Sequence, residues 1–317
     1  MCSRSDYQPT APMTNLAFRA DLLRKLRRFF DERGFLEVET PLLSADTVID
    51  RHIEPIGVEL PGRQKLWLQT SPEFAMKRLL AAGATAIYQI TKSFRGGEQG
   101  ALHNLEFTIV EWYRVGDSYT DGMQLLSELA QHLLGCEPAE QLSYRDAFRK
   151  YVGIDPHRAA HADLRSVLPE HLGDIENTSI DEWLNYLLAE QVEPKLGRGR
   201  PTILFDYPAT QAALAKVRQD DPPVAERFEL YIDGIELANG YHELTDANEL
   251  RRRNQNMNEQ RNEAGLGELP VESRLLAAMD SGLPDCTGVA LGFDRLVMLA
   301  AGATSIAEVM AFPADRA

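Results

Sequence analysis

At 317 residues, with 33 Lys+Arg against 48 Asp+Glu and a formal charge of −15, the chain is long enough for a sizeable core and too acidic for a general nucleic-acid binder. Hydrophobic residues make up 44% and charged residues 26%, which excludes wholesale disorder, and no run approaches the ~20 apolar residues of a membrane span. The three cysteines, Cys2, Cys136 and Cys286, form no C-x-x-C pair, so neither a disulfide framework nor a zinc site is expected and the cytoplasm is the expected compartment.

Residues 1–14 read as a loose polar arm without the apolar stretch of a secretion signal. Leu22, Leu26, Phe29 and Phe30 recur at helical spacing, which predicts a helix over 15–33 that Gly34 stops. A strand over 35–40 ends at Pro41, and a helix over 72–82 starts with proline in its first turn. Strands over 85–94 and 106–114 flank the Gly-rich stretch 95–105, the pattern of a long antiparallel hairpin. Residues 118–192 read as a mostly helical insertion, with stripes at Leu125, Leu129, Leu133 and at Trp183, Leu184, Leu187. Strands return over 202–207, 225–232, 235–241 and 288–291, with a polar helix over 246–263 in which Arg251, Arg252 and Arg253 read as a solvated face. Without repeats or a Ser/Pro/Gly linker, 15–317 reads as one α+β domain: a mostly antiparallel sheet flanked by helices, carrying that helical insertion.

Three pieces carry candidate chemistry. In Arg95-Gly-Gly-Glu-Gln-Gly-Ala-Leu-His-Asn104, glycines let a backbone approach a ligand, and Arg95 ends a strand that can aim its fork at an anion. Read alone, this is a weak signal, since an arginine in a Gly-rich hairpin is structural or solvated in most proteins. Around Asp233-Gly234, a two-residue hairpin turn places Ile232 opposite Ile235 and Tyr231 opposite Glu236. Glu229 and Glu236 then become diagonal neighbours on one face, either a pair of oxygen ligands for Mg²⁺ or an exposed acidic face. In Gly288-Val-Ala-Leu-Gly-Phe-Asp-Arg295, a strand meets a helix whose first turn holds Arg295, either an anion site or an ordinary junction.

Together, in this order, the pieces resemble the catalytic core of class II aminoacyl-tRNA synthetases, and within it the lysyl branch. Arg33 to Pro41 resembles motif 1, Phe94-Arg95 through Tyr113 motif 2, and Gly288 to Arg295 motif 3. Thr70-Ser-Pro-Glu73 and Glu236-Leu-Ala-Asn-Gly-Tyr-His-Glu243 resemble the lysyl-type amino-acid pocket. The chain starts almost at motif 1, without room for an anticodon-binding domain. Its Tyr207-Pro-Ala-Thr-Gln211 and Cys286-Thr-Gly-Val-Ala290 resemble the stand-alone branch that joins (R)-β-lysine to a lysine of elongation factor P.

That resemblance implies a homodimeric ATP-dependent ligase with Mg²⁺, acting on elongation factor P with no tRNA and no membrane. Arg95 and Arg295 are implied as catalytic arginines on the phosphates. Gly96, Gly97, Glu98, His103, Asn104, Glu236, Leu237 and Gly292 complete the implied ATP site, with Glu229 and Glu236 on the metal. Ser71, Pro72, Glu73, Glu111, Tyr113, Asn239, Glu243 and Ala290 are implied around the amino acid, and the Ala290 methyl would crowd an α-amino group. Motif 2 departs at two places: Gly97 stands two after Arg95 where the family has an acid, Glu98 following it, and Leu105 replaces a proline. A synthetase acting on tRNA and a non-catalytic regulatory paralogue are the alternative readings.

Overall fold

The structure is a computed structural model that describes residues 7–62, 64–169, 172 and 178–317. Residues 1–6 of the expected arm, Cys2 among them, and residues 170, 171 and 173–177 of the expected insertion lie outside the described residues. The helices are α1 (Met13–Asp31), α2 (Glu73–Ala81), α3 (Tyr119–Leu134), α4 (Tyr144–Tyr151), α5 (His161–Arg165), α6 (Ile180–Leu187), α7 (Ala247–Glu263), α8 (Arg274–Gly282) and α9 (Phe293–Ala300). The strands are β1 (Leu36–Glu37), β2 (Leu43–Ser44), β3 (Gly57–Val58), β4 (Leu66–Leu68), β5 (Ala86–Phe94) and β6 (Glu106–Val115). They continue with β7 (Glu140–Ser143), β8 (Thr202–Pro208), β9 (Val217–Arg218), β10 (Val224–Ile232), β11 (Ile235–His242) and β12 (Cys286–Gly292). The fold is α+β, with mixed, mostly antiparallel sheet flanked by helices. Among the described residues no helix is long and apolar enough to cross a membrane.

Two compact units emerge: Met1–Gly116 with Thr245–Cys286 and Ala290–Ala317, and Asp117–Leu244 with Thr287–Val289. In the first, the strand order is β1-β5-β6-β12, with β1 parallel to β5 and β5 antiparallel to β6. The predicted stripe on α1 is its buried face: Leu22, Leu26, Phe29 and Phe30 are all buried. Phe30 stacks on Tyr88 of β5 at 4.6 Å between ring centroids and meets Trp112 of β6 at 5.3 Å. This aromatic contact holds one face of the β5–β6 hairpin against α1 and leaves the other face for chemistry. Helix α1 begins at Met13, and just before it Thr10 and Ala11 donate backbone bonds to Ala311 and Met310. The strand expected over 35–40 shrinks to Leu36–Glu37, because only these residues find ladder partners on β5.

On α7 the basic run is neutralised within the chain. Arg251 pairs with Glu272 and Asp280, while Arg252 and Arg253 share Glu249. Hydrogen bonds from Arg252 and Arg253 hold the Glu249 carboxyl at about 2. A run already matched by carboxylates leaves little field for a polyanion.

In the second unit the order is β11-β10-β8-β7, with β9 beside β10. Tyr144 and Phe148 of α4, with Trp183, Leu184 and Leu187 of α6, pack on Leu204, Tyr207 and Tyr231 from the sheet. Helix α3 is bounded by a Ser118–Asp121 capping box and by Gly135 at φ 65°, a left-handed stop that favours glycine. Gly240 lies directly opposite Phe228, and a β-carbon there would land in that buried ring.

Candidate active site

In the first unit, β5 and β6 pair in register from Ala86↔Arg114 to Phe94↔Glu106, so the stretch 95–105 is the tip of a long hairpin. Alternation sends Thr108, Val110 and Trp112 to the α1 side and Phe107, Glu111 and Tyr113 to the other. On that second face the Arg95 guanidinium lies 5.0 Å from the Phe107 ring centroid, which fixes its height above the sheet. Its Nε is buried without a hydrogen-bond partner, and its carboxylate neighbour, Glu98, stands off at 3.7 Å. A buried guanidinium nitrogen with no acceptor is the condition a bound anion relieves.

The arginine of motif 3 reaches the same loop. Arg295 donates from Nε to the Leu102 carbonyl at 3.2 Å and from Nη2 to His103 Nε2 at 2.6 Å. Burial, and then the charge of Arg295, push His103 below the usual imidazole range, so its Nε2 keeps the lone pair that accepts this bond. Glu98 lies 3.9 Å from His103 Nε2, so Arg95, Glu98, His103 and Arg295 form one chain of alternating groups. Gly97, at φ 79°, has no side chain, and the next residue, Glu98, carries the loop's carboxylate. Gly96 is needed for another reason: its N–H bonds to the Glu54 carbonyl at 2.8 Å, and a β-carbon would sit 3.1 Å from that oxygen. Gly292 is the N-cap of α9, which places Arg295 in the first turn.

Asn104 makes two bonds within the chain. Its Nδ2 donates to the Glu106 carbonyl at 2.6 Å, and its Oδ1 accepts from the Ala314 N–H at 2.9 Å. Further along β6, the Tyr113 hydroxyl donates to Glu111 Oε1 at 2.5 Å. Glu73, at the start of α2, pairs with the fully buried Lys77 at 2.6 Å, and Ser71 Oγ accepts from the Glu73 N–H. Ser71, Pro72 and Glu73 line a cavity of about 330 Å³ together with Asp46, Thr47 and Arg274. Ala290 is half-buried on β12, on the same side of the strand as Gly292, while Val289 and Leu291 point into the core.

The second unit holds the remaining predicted residues. The hairpin turn is as read, Ile232 opposite Ile235 and Tyr231 opposite Glu236, with Asp233 and Gly234 both at positive φ. One step further a bulge at Leu237 shifts the pairing, so Glu229 faces Asn239 and Leu230 faces Ala238. Glu229 is buried and densely bonded. Arg227 Nη2 reaches its Oε1 at 2.5 Å, and the hydroxyls of Tyr207 and Tyr231 both donate to its Oε2. Of the roughly four lone-pair positions on a carboxylate, this leaves one, on Oε1. Glu236 is half-buried, Leu237 is buried, and Asn239 Oδ1 is buried without a hydrogen-bond partner. Glu243 is 1% exposed, beside an isolated bridge to Ala215. Among the described residues no three His, Cys, Asp or Glu side chains gather as a metal cage. Two carboxylates fit only an ion that keeps substrate oxygens and water as its other ligands, the habit of Mg²⁺.

Comparison with known proteins decides the family. Residues 6–316 match tRNA synthetases class II (D, K and N). The chain belongs to this class II tRNA synthetase family. A relative from Klebsiella pneumoniae subsp. pneumoniae, named elongation factor P–(R)-β-lysine ligase, is 49% identical over 325 aligned residues, covering 100% of both chains. Proteins of the same name from Mannheimia succiniciproducens and Salmonella gallinarum are each 47% identical, also over 100% of both chains. An ATP-dependent ligase is the enzyme type that this family and these named relatives carry.

Within this class II synthetase the sequence reading passed over several polar partners. Arg19 of α1 pairs with Asp294 at 2.6 Å and donates to Thr108 Oγ1 at 2.8 Å, while Asp294 accepts the Thr108 N–H at 2.7 Å. This cluster fixes the residue that precedes Arg295. Its signal was available, since Arg19 sits on the same helical stripe as Leu22 and Leu26, where a charge needs a partner. Gln89, directly opposite Glu111 and bonded through Oε1 by Thr40, carried no comparable sign.

Proposed function

We propose that this class II synthetase activates (R)-β-lysine with ATP and transfers it to the ε-amino group of a lysine of elongation factor P. The proposal includes a homodimer working in the cytoplasm without tRNA. The observation that carries it is the Arg95–Glu98–His103–Arg295 chain, two guanidiniums at one loop with the buried Arg95 Nε lacking an acceptor, in a chain collinear with the ligases named above.

The chemistry follows from charge. A substrate carboxylate oxygen attacks the α-phosphorus of ATP, the bond from that phosphorus to the bridging oxygen breaks, and pyrophosphate leaves. At ~4 Å and an effective dielectric of ~20, one guanidinium–phosphate contact is worth about 4 kcal/mol of gross attraction. Arg95 would meet the α-phosphate and carboxylate, and Arg295 the γ-phosphate, so the positive charge sits where negative charge develops. Glu229, through its remaining lone pair, and Glu236 would hold Mg²⁺, which supplies further neutralisation of the triphosphate. Gly96, Gly97, Glu98, Leu237 and Gly292 would line the nucleotide, with His103 steadying Arg295.

Glu73, Glu111, Tyr113, Asn239 and Glu243 would grip the two ammonium groups of the dibasic substrate, beside Ser71 and Pro72. A pocket lined by carboxylates favours a cationic side chain over a neutral analogue. In the second step the neutral ε-amine of the acceptor attacks the acyl carbon, the bond to the adenylate oxygen breaks, and AMP leaves as the new amide loses a proton. The mixed anhydride is reactive enough that no enzyme nucleophile is required.

The deciding experiment is mass spectrometry of elongation factor P after incubation with enzyme, ATP and (R)-β-lysine, beside a parallel reaction with lysine-specific tRNA. A mass increment on the protein is the expected result. Transfer to tRNA alone would overturn the assignment. A further test concerns the Ala290 methyl: Ala290→Gly is expected to raise use of α-lysine about tenfold, the worth of one methyl in a pocket. Unchanged discrimination in pyrophosphate exchange would remove the steric explanation.

A further inference from the structure

The loop over 95–105 is pinned from outside the hairpin, and its most specific pin comes from the last residues of the chain. Besides the Glu54 bridge to Gly96, the Ile306 N–H donates to the Ala101 carbonyl at 2.9 Å, and the Ala314 N–H to Asn104 Oδ1 at 2.9 Å. The segment bearing these donors is itself anchored. Ser305 caps the short turn 306–308, Asn15 Nδ2 bonds to the Glu308 carbonyl at 2.9 Å, and Val309 is fully buried. Thr10 and Ala11 then bond to Ala311 and Met310. Asn104 is 5% exposed, with its amide nitrogen bonded to Glu106 and its oxygen to Ala314.

We propose that residues 305–314 form a strap that sets the loop carrying Arg95, Glu98 and His103, with Asn104 as the positioning residue that receives it. On this view Asn104 serves the nucleotide through the loop's shape, with one amide N–H on Glu106 and one oxygen lone pair on Ala314. The inference rests on the reading that this loop grips ATP. Two donors on a segment whose Ile306, Val309, Met310 and Pro313 are buried hold the loop beyond the end of the hairpin ladder, at Phe94↔Glu106. A loop held in one shape pays less ordering entropy when the triphosphate arrives.

The test removes one proton. Ala314 is the second residue of the turn closed by the Arg316 N–H on the Pro313 carbonyl at 2.8 Å, a position that proline accommodates. Ala314→Pro therefore deletes the N–H and keeps the turn, while Asn104→Ala deletes the acceptor. Each is expected to speed amide hydrogen exchange over 96–103 about tenfold and raise KM for ATP about tenfold, the worth of one hydrogen bond. KM for the amino acid should stay within about twofold, and the double variant should show no loss beyond that of Asn104→Ala, which removes the Ala314 bond together with the one to Glu106. Unchanged exchange and unchanged KM for ATP in both variants would overturn the strap, as would equal rises in KM for both substrates. If the unmodified enzyme exchanges no pyrophosphate with any amino acid, the ATP reading fails, and hydrogen exchange alone still decides whether the strap orders the loop.

Discussion

Glu229→Ala is expected to cost about 3–5 kcal/mol of stability, the usual penalty for removing one partner of a buried ion pair. Glu229 is only 4% exposed, and three donors converge on it: Arg227, Tyr207 and Tyr231. Truncation strands a guanidinium whose Nε already lacks a hydrogen-bond partner, along with the Tyr207 phenol in an apolar cluster of α4 and α6 residues, while Tyr231 keeps Glu193 Oε1 at 3.1 Å. Burial, the larger cause of the raised pKa of both Tyr207 and Tyr231, persists when the Glu229 charge is gone and keeps both phenols neutral. Urea denaturation measures the effect, and a loss below about 1 kcal/mol would show that Arg227 finds another acceptor. Adding Arg227→Met should recover part of the loss, because it removes the stranded charge.

Arg295→Ala is expected to lower ATP–pyrophosphate exchange about 10³-fold, and Arg295→Lys about 10²-fold, because lysine restores the charge without the planar fork. The side chain carries two bonds to the loop as well as its proposed phosphate contact. A separate readout checks the local chemistry. His103 is held below the ordinary imidazole range first by burial and then by Arg295, so the alanine variant should titrate at higher pH. The sign for stability follows: a histidine with a lowered folded pKa contributes fully above its unfolded value near ~6.5, and that contribution is lost as pH falls through the folded value. Following the His103 ring protons by NMR tests this, and an unmoved titration with near-normal exchange would show that Arg295 acts elsewhere.

How far the sequence could be read depended on whether the signal was local. The α1 stripe, the β5–β6 hairpin and the Asp233-Gly234 turn were each legible, because a period of 3.6, an alternation of two or a turn pair declares itself within a few residues. Arg95 and Arg295 could be named from motif order. The bulge at Leu237 could not, since Glu-Leu-Ala-Asn-Gly contains no break in pattern and the shift arises from pairing with β10. The charge of Glu229 was legible but its surroundings were not. Tyr207, one of its donors, lies 22 positions earlier and arrives only when β8 pairs with β10.

Composition and periodicity alone determined that this chain folds as α+β with mostly antiparallel strands, and the order of its motifs determined its family. Tertiary structure decided what particular polar atoms do. Asn104 was named by motif order, but only the fold brings Ala314, 210 positions away, to donate to its oxygen. The physical reason is that hydrophobic pattern acts over one or two turns of chain, whereas a buried polar group must be satisfied by whatever donor the fold delivers, from any distance in sequence.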